Sequence, residues 1–191
     1  MIQENEQLIK VLQKFPDQNP NPVLRFSDEG VLQYYNSPSE PIINAWKKDI
    51  PESARFVRVP ALWNPLLRLH GRMYYTKEVL VKNGKLKDPE GFRARIFKEY
   101  HNRKNYMTSA TAIQKIFADF GVTEDDFNKT FESFEVAQKL RLADDLARRY
   151  SIASTPSVVV NGKYRTNAGE AGSYPKLIKV INELITRESI R

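Results

Sequence analysis

Ser154-Thr155-Pro156-Ser157-Val158-Val159-Val160-Asn161-Gly162-Lys163-Tyr164 is the most telling run of this chain. Ser157 to Val160 is β-branched and bounded by turn residues, so it reads as a short strand. Asn161-Gly162 supplies two residues that tolerate positive φ, the signature of a tight hairpin. Lys163 to Thr166 then returns as the next strand. Pro156 fixes the entry, because a proline removes a backbone donor and holds its own φ. The run is flanked by helices. Ser133 to Tyr150 places Val136, Leu140, Ala143, Ala147 and Tyr150 on one stripe, and Tyr174 to Glu188 does the same with Leu177, Ile178, Ile181, Leu184 and Ile185.

Moving toward the N-terminus, four more helices are expected. Asn64-Pro65 opens one, with Asn as cap and Pro at the first position, and Asn83-Gly84 ends it. Asp88 to His101, Ser109 to Phe120 and Glu124 to Phe131 follow, with Gly121 as a stop for the second of these. Arg55 to Trp63 reads as a strand, as does Val23 to Phe26. Between them Val31 to Lys48 carries Leu32, Tyr35, Ile42, Ile43 and Trp46 at helical positions, with Pro38 and Pro41 kinking or splitting any helix there. Residues 2–15 form an amphipathic segment through Leu8, Val11, Leu12 and Phe15, closed by the prolines at 16, 20 and 22. Alternating β and α units around a block of helices imply an α/β fold: a central sheet with covered faces and an all-helical insertion. The expected division is a helical segment at 1–19, a discontinuous sheet domain at 20–64 and 142–191, and a helical domain at 65–141.

The 191 residues contain no cysteine, which excludes disulfides, thiolate nucleophiles and thiolate metal sites. No apolar run approaches the ~20 residues needed to span a bilayer. The net charge is +7. From Pro65 to Arg141 there are 15 basic and 10 acidic residues, and the densest stretch holds Lys85, Lys87, Arg93, Arg95, Lys98, Arg103 and Lys104. These seven are the anion-binding candidates, weighed against a solvated helical face. No nucleic-acid-binding module accompanies them, so nucleic acid is not an expected partner.

The set Ala147-Arg148-Arg149-Tyr150, Thr155-Pro156 and Val160-Asn161-Gly162-Lys163-Tyr164 resembles the return to the sheet in the DsbA family of thioredoxin-fold disulfide oxidoreductases. Phe56-Val57-Arg58-Val59-Pro60, followed by Asn64-Pro65 and Leu69-His70-Gly71-Arg72-Met73-Tyr74-Tyr75, resembles that family's passage into its helical insertion. Val23-Leu24-Arg25-Phe26-Ser27 resembles its first core strand. The resemblance implies a thioredoxin-like sheet with an inserted helical domain, a cis-proline at Pro156 and a peptide groove lined by Thr155, Pro156 and Ser157. It sets Gly30-Val31-Leu32-Gln33 at the N-terminus of the active-site helix, where the family carries Cys-X-X-Cys. Ser37-Pro38-Ser39-Glu40 is an alternative alignment requiring a helix about two turns shorter. Neither offers a sulfur.

The implied protein is a redox-inactive relative that binds a polypeptide in a chaperone-like, scaffolding or regulatory role, without catalytic residue, cofactor or metal. The family's export points to the periplasm, and composition leaves the cytoplasm open. A second class is a non-thiol enzyme resembling the kappa glutathione transferases and a related isomerase, with Ser27 nearest to their serine. His70 reads as a core or boundary residue and His101 as exposed. Asp144-Asp145 is expected to pair with Arg141, Arg148 and Arg149 at helical spacing. Glu124-Asp125-Asp126 complements a helix N-terminus. Trp46, Trp63 and Tyr34-Tyr35 are expected to pack in the core.

Overall fold

The computed structural model describes residues 24–26, 32–35, 45–46, 48–52, 54–155 and 157–190. In chain order these form β1 (Leu24–Phe26), β2 (Leu32–Tyr35), α1 (Pro65–Lys82), α2 (Pro89–Phe97), a π-helical turn (Lys98–Asn102), α3 (Ala110–Asp119) and α4 (Glu124–Phe131). Then follow α5 (Phe134–Arg149), β3 (Ser157–Val160), β4 (Tyr164–Asn167), α6 (Ala168–Ala171) and α7 (Tyr174–Ser189). The expected N-terminal segment at 2–15 lies outside the described residues.

Local chemistry explains the helix starts. Each helix leaves its first amides without intrahelical partners, and a side-chain oxygen accepts from one of them every time. Asn64 accepts from Leu67 N at 2.8 Å, Asp88 from Gly91 N at 2.8 Å, Ser109 from Ala112 N at 3.2 Å and Thr123 from Asp126 N at 3.1 Å. Ser133, Asn167 and Ser173 do the same for Val136 N, Glu170 N and Lys176 N. Pro65, Pro89 and Pro175 sit in first turns, where a missing N–H costs nothing.

The chain divides into two compact units. The helical unit spans Val59–Arg149, and the sheet unit contains the described residues of 32–58 and 150–191. The boundary at 141/142 expected from sequence falls inside α5, which is continuous to Arg149. Ala143 is buried with Val136, Leu140, Tyr75, Val79 and Leu62, so the second half of α5 packs on α1 like the first. Gly71 lets this happen, since a Cβ there would stand 2.3 Å from Leu62 Cδ2 and 3.3 Å from Leu140 Cδ2. The larger cluster of the unit gathers Leu80, Phe92, Met107, Ile113, Phe117, Phe127 and their neighbours, with the Phe92 and Phe117 ring centroids 4.4 Å apart.

In the sheet unit β3 and β4 pair antiparallel, Val160 opposite Tyr164 and Ser157 opposite Asn167. The three-residue connection begins with Asn161 at φ +48° and Gly162 at φ +68°, the left-handed pair its sequence calls for. α7 packs Leu177 and Ile181 under the hairpin with Val160, Tyr174 and Trp46.

Two expectations change. Leu32–Tyr35 is a strand paired antiparallel with Leu24–Phe26, not the start of a helix. The aromatic pair Tyr34-Tyr35 has high strand propensity. Arg55 to Pro60 keeps the alternating exposure of an extended chain, with Val57 61% and Val59 44% exposed. Among the described residues, however, it joins no ladder, and the ladders are two separate antiparallel pairs. Its inward side chain Phe56 meets Trp46 edge-on at 5.7 Å, so packing holds this segment.

Candidate functional site

The loop before β3 is fastened at both ends. Ser157 Oγ donates to Ser154 O at 2.7 Å, and the Arg165 guanidinium donates to Ser151 O at 2.7 Å from β4. Ser151 itself is left-handed at φ +50°. Thr155 is half-buried, and Ser157 opens the ladder. Pro156, and with it the expected cis bond, lies outside the described residues. Tyr150 supports the far end of the hairpin, because its hydroxyl would stand 3.0 Å from a Cβ at Gly162.

A group that sequence reading missed holds the hairpin to α7. Glu188 has a side chain only 8% exposed. It accepts from Lys163 Nζ at 2.5 Å, Asn161 Nδ2 at 2.6 Å and Tyr164 Oη at 3.3 Å. The Lys163 ammonium and then the Asn161 amide hold the carboxyl down at about 2, against an ordinary 4.5. The turn that sequence singled out is thereby locked by a residue 24 to 27 positions away.

Of the degenerate active-site positions, Leu32 and Gln33 lie in β2, while Gly30 and Val31 fall outside the described residues, as does Ser27.

Arg95, Arg103 and Lys85 of the basic stretch are paired with carboxylates. Arg95 donates to Glu99 at 2.7 Å and to Asp119 at 3.1 Å, Arg103 donates to Glu99 at 2.6 Å, and Lys85 stands 3.3 Å from Asp126. Arg93 lies over the Phe97 ring at 5.8 Å. Lys87, Lys98 and Lys104 remain exposed. Glu99, with a side chain 5% exposed, also accepts from Asn105 at 2.8 Å. Asn105 and Arg95 hold its carboxyl at about 2. The Glu99 bonds fold the 103–107 loop onto the π-helical turn, while Lys87, Lys98 and Lys104 keep their charges at the surface.

His70 meets Tyr106 O through Nε2 at 2.9 Å, and burial lowers its pKa. The expected exposure of His101 is corrected: its ring packs 5.1 Å from Tyr100 and 5.8 Å from Phe97, and burial followed by Lys104 lowers its pKa. Asp144 pairs across to Arg68 on α1 in a fork of 2.8 and 3.1 Å, not along its own helix, whereas Asp145 does pair with Arg148. Trp46 is buried and donates to Asn182 Oδ1 at 2.9 Å, while Trp63 is 38% exposed. Among the described residues, no three His, Asp or Glu side chains gather as metal ligands, and no helix is long and apolar enough to cross a membrane.

The DSBA-like thioredoxin domain matches residues 26–176. The chain is 33% identical over 149 residues to the thiol:disulfide interchange protein DsbA of Pseudomonas syringae pv. tomato, covering 78% of this chain and 67% of that protein. It superposes on the crystal structure of Pseudomonas aeruginosa DsbA with a TM-score of 0.69 at 30% identity, over 79% of this chain and 76% of that one. A Proteus mirabilis DsbA variant, solved with a non-covalently bound peptide, gives a TM-score of 0.64 at 20% identity over 88% and 90% of the two chains. The fold is thus thioredoxin-like with a helical insertion.

Proposed function

Because the chain belongs to the DsbA-like thioredoxin family and contains no cysteine, we propose that it binds an extended polypeptide without exchanging disulfides. The carrying observation is the match to that domain over residues 26–176 in a chain without cysteine. Thiol–disulfide exchange begins with a thiolate attacking a disulfide sulfur. Without one, what the scaffold retains is shape and backbone.

The binding place in this reading is the Thr155-Pro156-Ser157 loop, to which the family resemblance would add Gly30 to Gln33. An extended peptide is held in such a loop through main-chain hydrogen bonds, as in strand addition. The peptide-bound Proteus mirabilis structure supports a polypeptide as the ligand class. The periplasm is the compartment this reading assigns, on family grounds. Titrating isotopically labelled protein with a reduced, unfolded peptide tests it: the amides of Val31, Thr155 and Ser157 shift if the reading holds, and stay put if it fails. An insulin-reduction assay is expected to be blank.

A further inference from the structure

α5 buries one face, and among the described residues nothing covers the opposite one. Val136, Leu140 and Ala143 pack on α1. On the outer side, Phe134 is 69% and Leu142 57% exposed, and Gln138, Asp145 and Arg149 continue the same stripe at spacings of three and four residues. Phe134 and Leu142 are two turns apart, about 12 Å along the axis. Exposed apolar side chains sharing a helix face mark interaction surfaces more often than single scattered ones do.

The charges around the pair identify the partner. Arg148 is engaged by Asp145. Arg141 stacks its guanidinium over Phe134 at 5.6 Å. Among the described residues, neither Arg141 nor Arg149 has a carboxylate partner. The surface is therefore two apolar anchors flanked by two cations whose countercharge is missing. Arg and aromatic side chains are also the types that dominate binding energy at interfaces.

We propose that the outer face of α5 docks an acidic amphipathic segment of another polypeptide, its apolar side chains on Phe134 and Leu142 and its carboxylates on Arg141 and Arg149. This surface lies wholly in the helical unit and does not depend on the loop before β3.

The probe is a synthetic amphipathic helix with leucines at i, i+4 and i+7 and glutamates between, compared with the same peptide carrying lysines. Calorimetry on the full chain is expected to show binding of the glutamate peptide only, weakening as salt rises from about 0.05 to about 0.5 M. Phe134→Ala, Leu142→Ala and the double Arg141→Ser/Arg149→Ser are each expected to weaken it about tenfold. These positions are solvent-facing, and unchanged circular dichroism verifies the fold of each variant. No binding, equal binding of the lysine peptide, or affinity indifferent to Phe134→Ala and Leu142→Ala overturns the proposal. So does a peptide whose shifts map to Thr155 and Ser157 instead of α5, an outcome that leaves the β3 reading standing.

Discussion

Glu99, buried in the helical unit, and Glu188, its side chain 8% exposed in the sheet unit, are two carboxylates with the same task. Each accepts from three side chains, each is held near 2, and each fastens a segment containing left-handed residues: Lys104 and Met107 in one case, Asn161 and Gly162 in the other. They differ in where the donors come from. Glu99 draws on Arg95, Arg103 and Asn105, all within six residues. Glu188 draws on the hairpin, 24 to 27 residues upstream. The first carboxylate shapes a loop on its own helix, and the second joins two elements of the sheet unit. Removing the first should disorder a loop. Removing the second should release the hairpin that carries the candidate site.

The largest effect expected lies in the packing that surrounds the Glu99 loop. Phe117 is fully buried between Phe92 and Phe127, so Phe117→Ala should cost about 3–5 kcal/mol in chemical denaturation. Leu177→Ala, the matching truncation beneath the hairpin, should cost about 2–5 kcal/mol. Trp46, buried in the sheet unit, is the fluorescence reporter for the second. If Trp46 emission follows Phe117→Ala as closely as Leu177→Ala, the two units unfold as one.

Next in size are the carboxylates. A carboxyl whose pKa is lower in the folded chain is bound by fewer protons there than in the unfolded chain, so acid favours unfolding. The contribution of Glu99 and Glu188 is fully present above about 4.5 and is lost as pH falls toward 2. Glu188→Gln should flatten that part of the stability–pH curve and raise amide exchange in Asn161 to Tyr164. Glu99→Gln should flatten it equally but raise exchange only in 103–107. Equal exchange maps for the two variants would erase the distinction between local and long-range fastening.

Smaller still is a cap. Asn64→Ala should cost about 1 kcal/mol, since Leu67 N loses its acceptor at the start of α1. Tyr174→Phe should go the other way and stabilise by about 1 kcal/mol, because its buried hydroxyl finds no partner among the described residues. A loss of stability in Tyr174→Phe would mean that the hydroxyl is engaged in solution.

Residues whose meaning is local were readable early. Asn64-Pro65 announces a helix start through a bond spanning three residues, and Asn161-Gly162 announces its turn through φ alone. Glu99 belonged to the same group, since Arg95 and Arg103 sit one turn on either side, yet its burial does not show in that spacing. Around the candidate site, Ser157 to Val160 was legible as a strand. Leu32–Tyr35 was not, because period-two and period-3.6 patterns overlap in a short apolar run.

The amino-acid order alone fixed the helix caps, the Asn-Gly turn and the lack of any thiolate, since each rests on residue identity or on contacts a few positions apart. Folding in three dimensions settled the rest: Glu188 on the hairpin, Asp144 on Arg68, Arg95 on Asp119, and Phe134 with Leu142 left facing solvent. Those outcomes depend on which side chains distant in sequence arrive within a few ångströms of one another, and no local backbone preference encodes that.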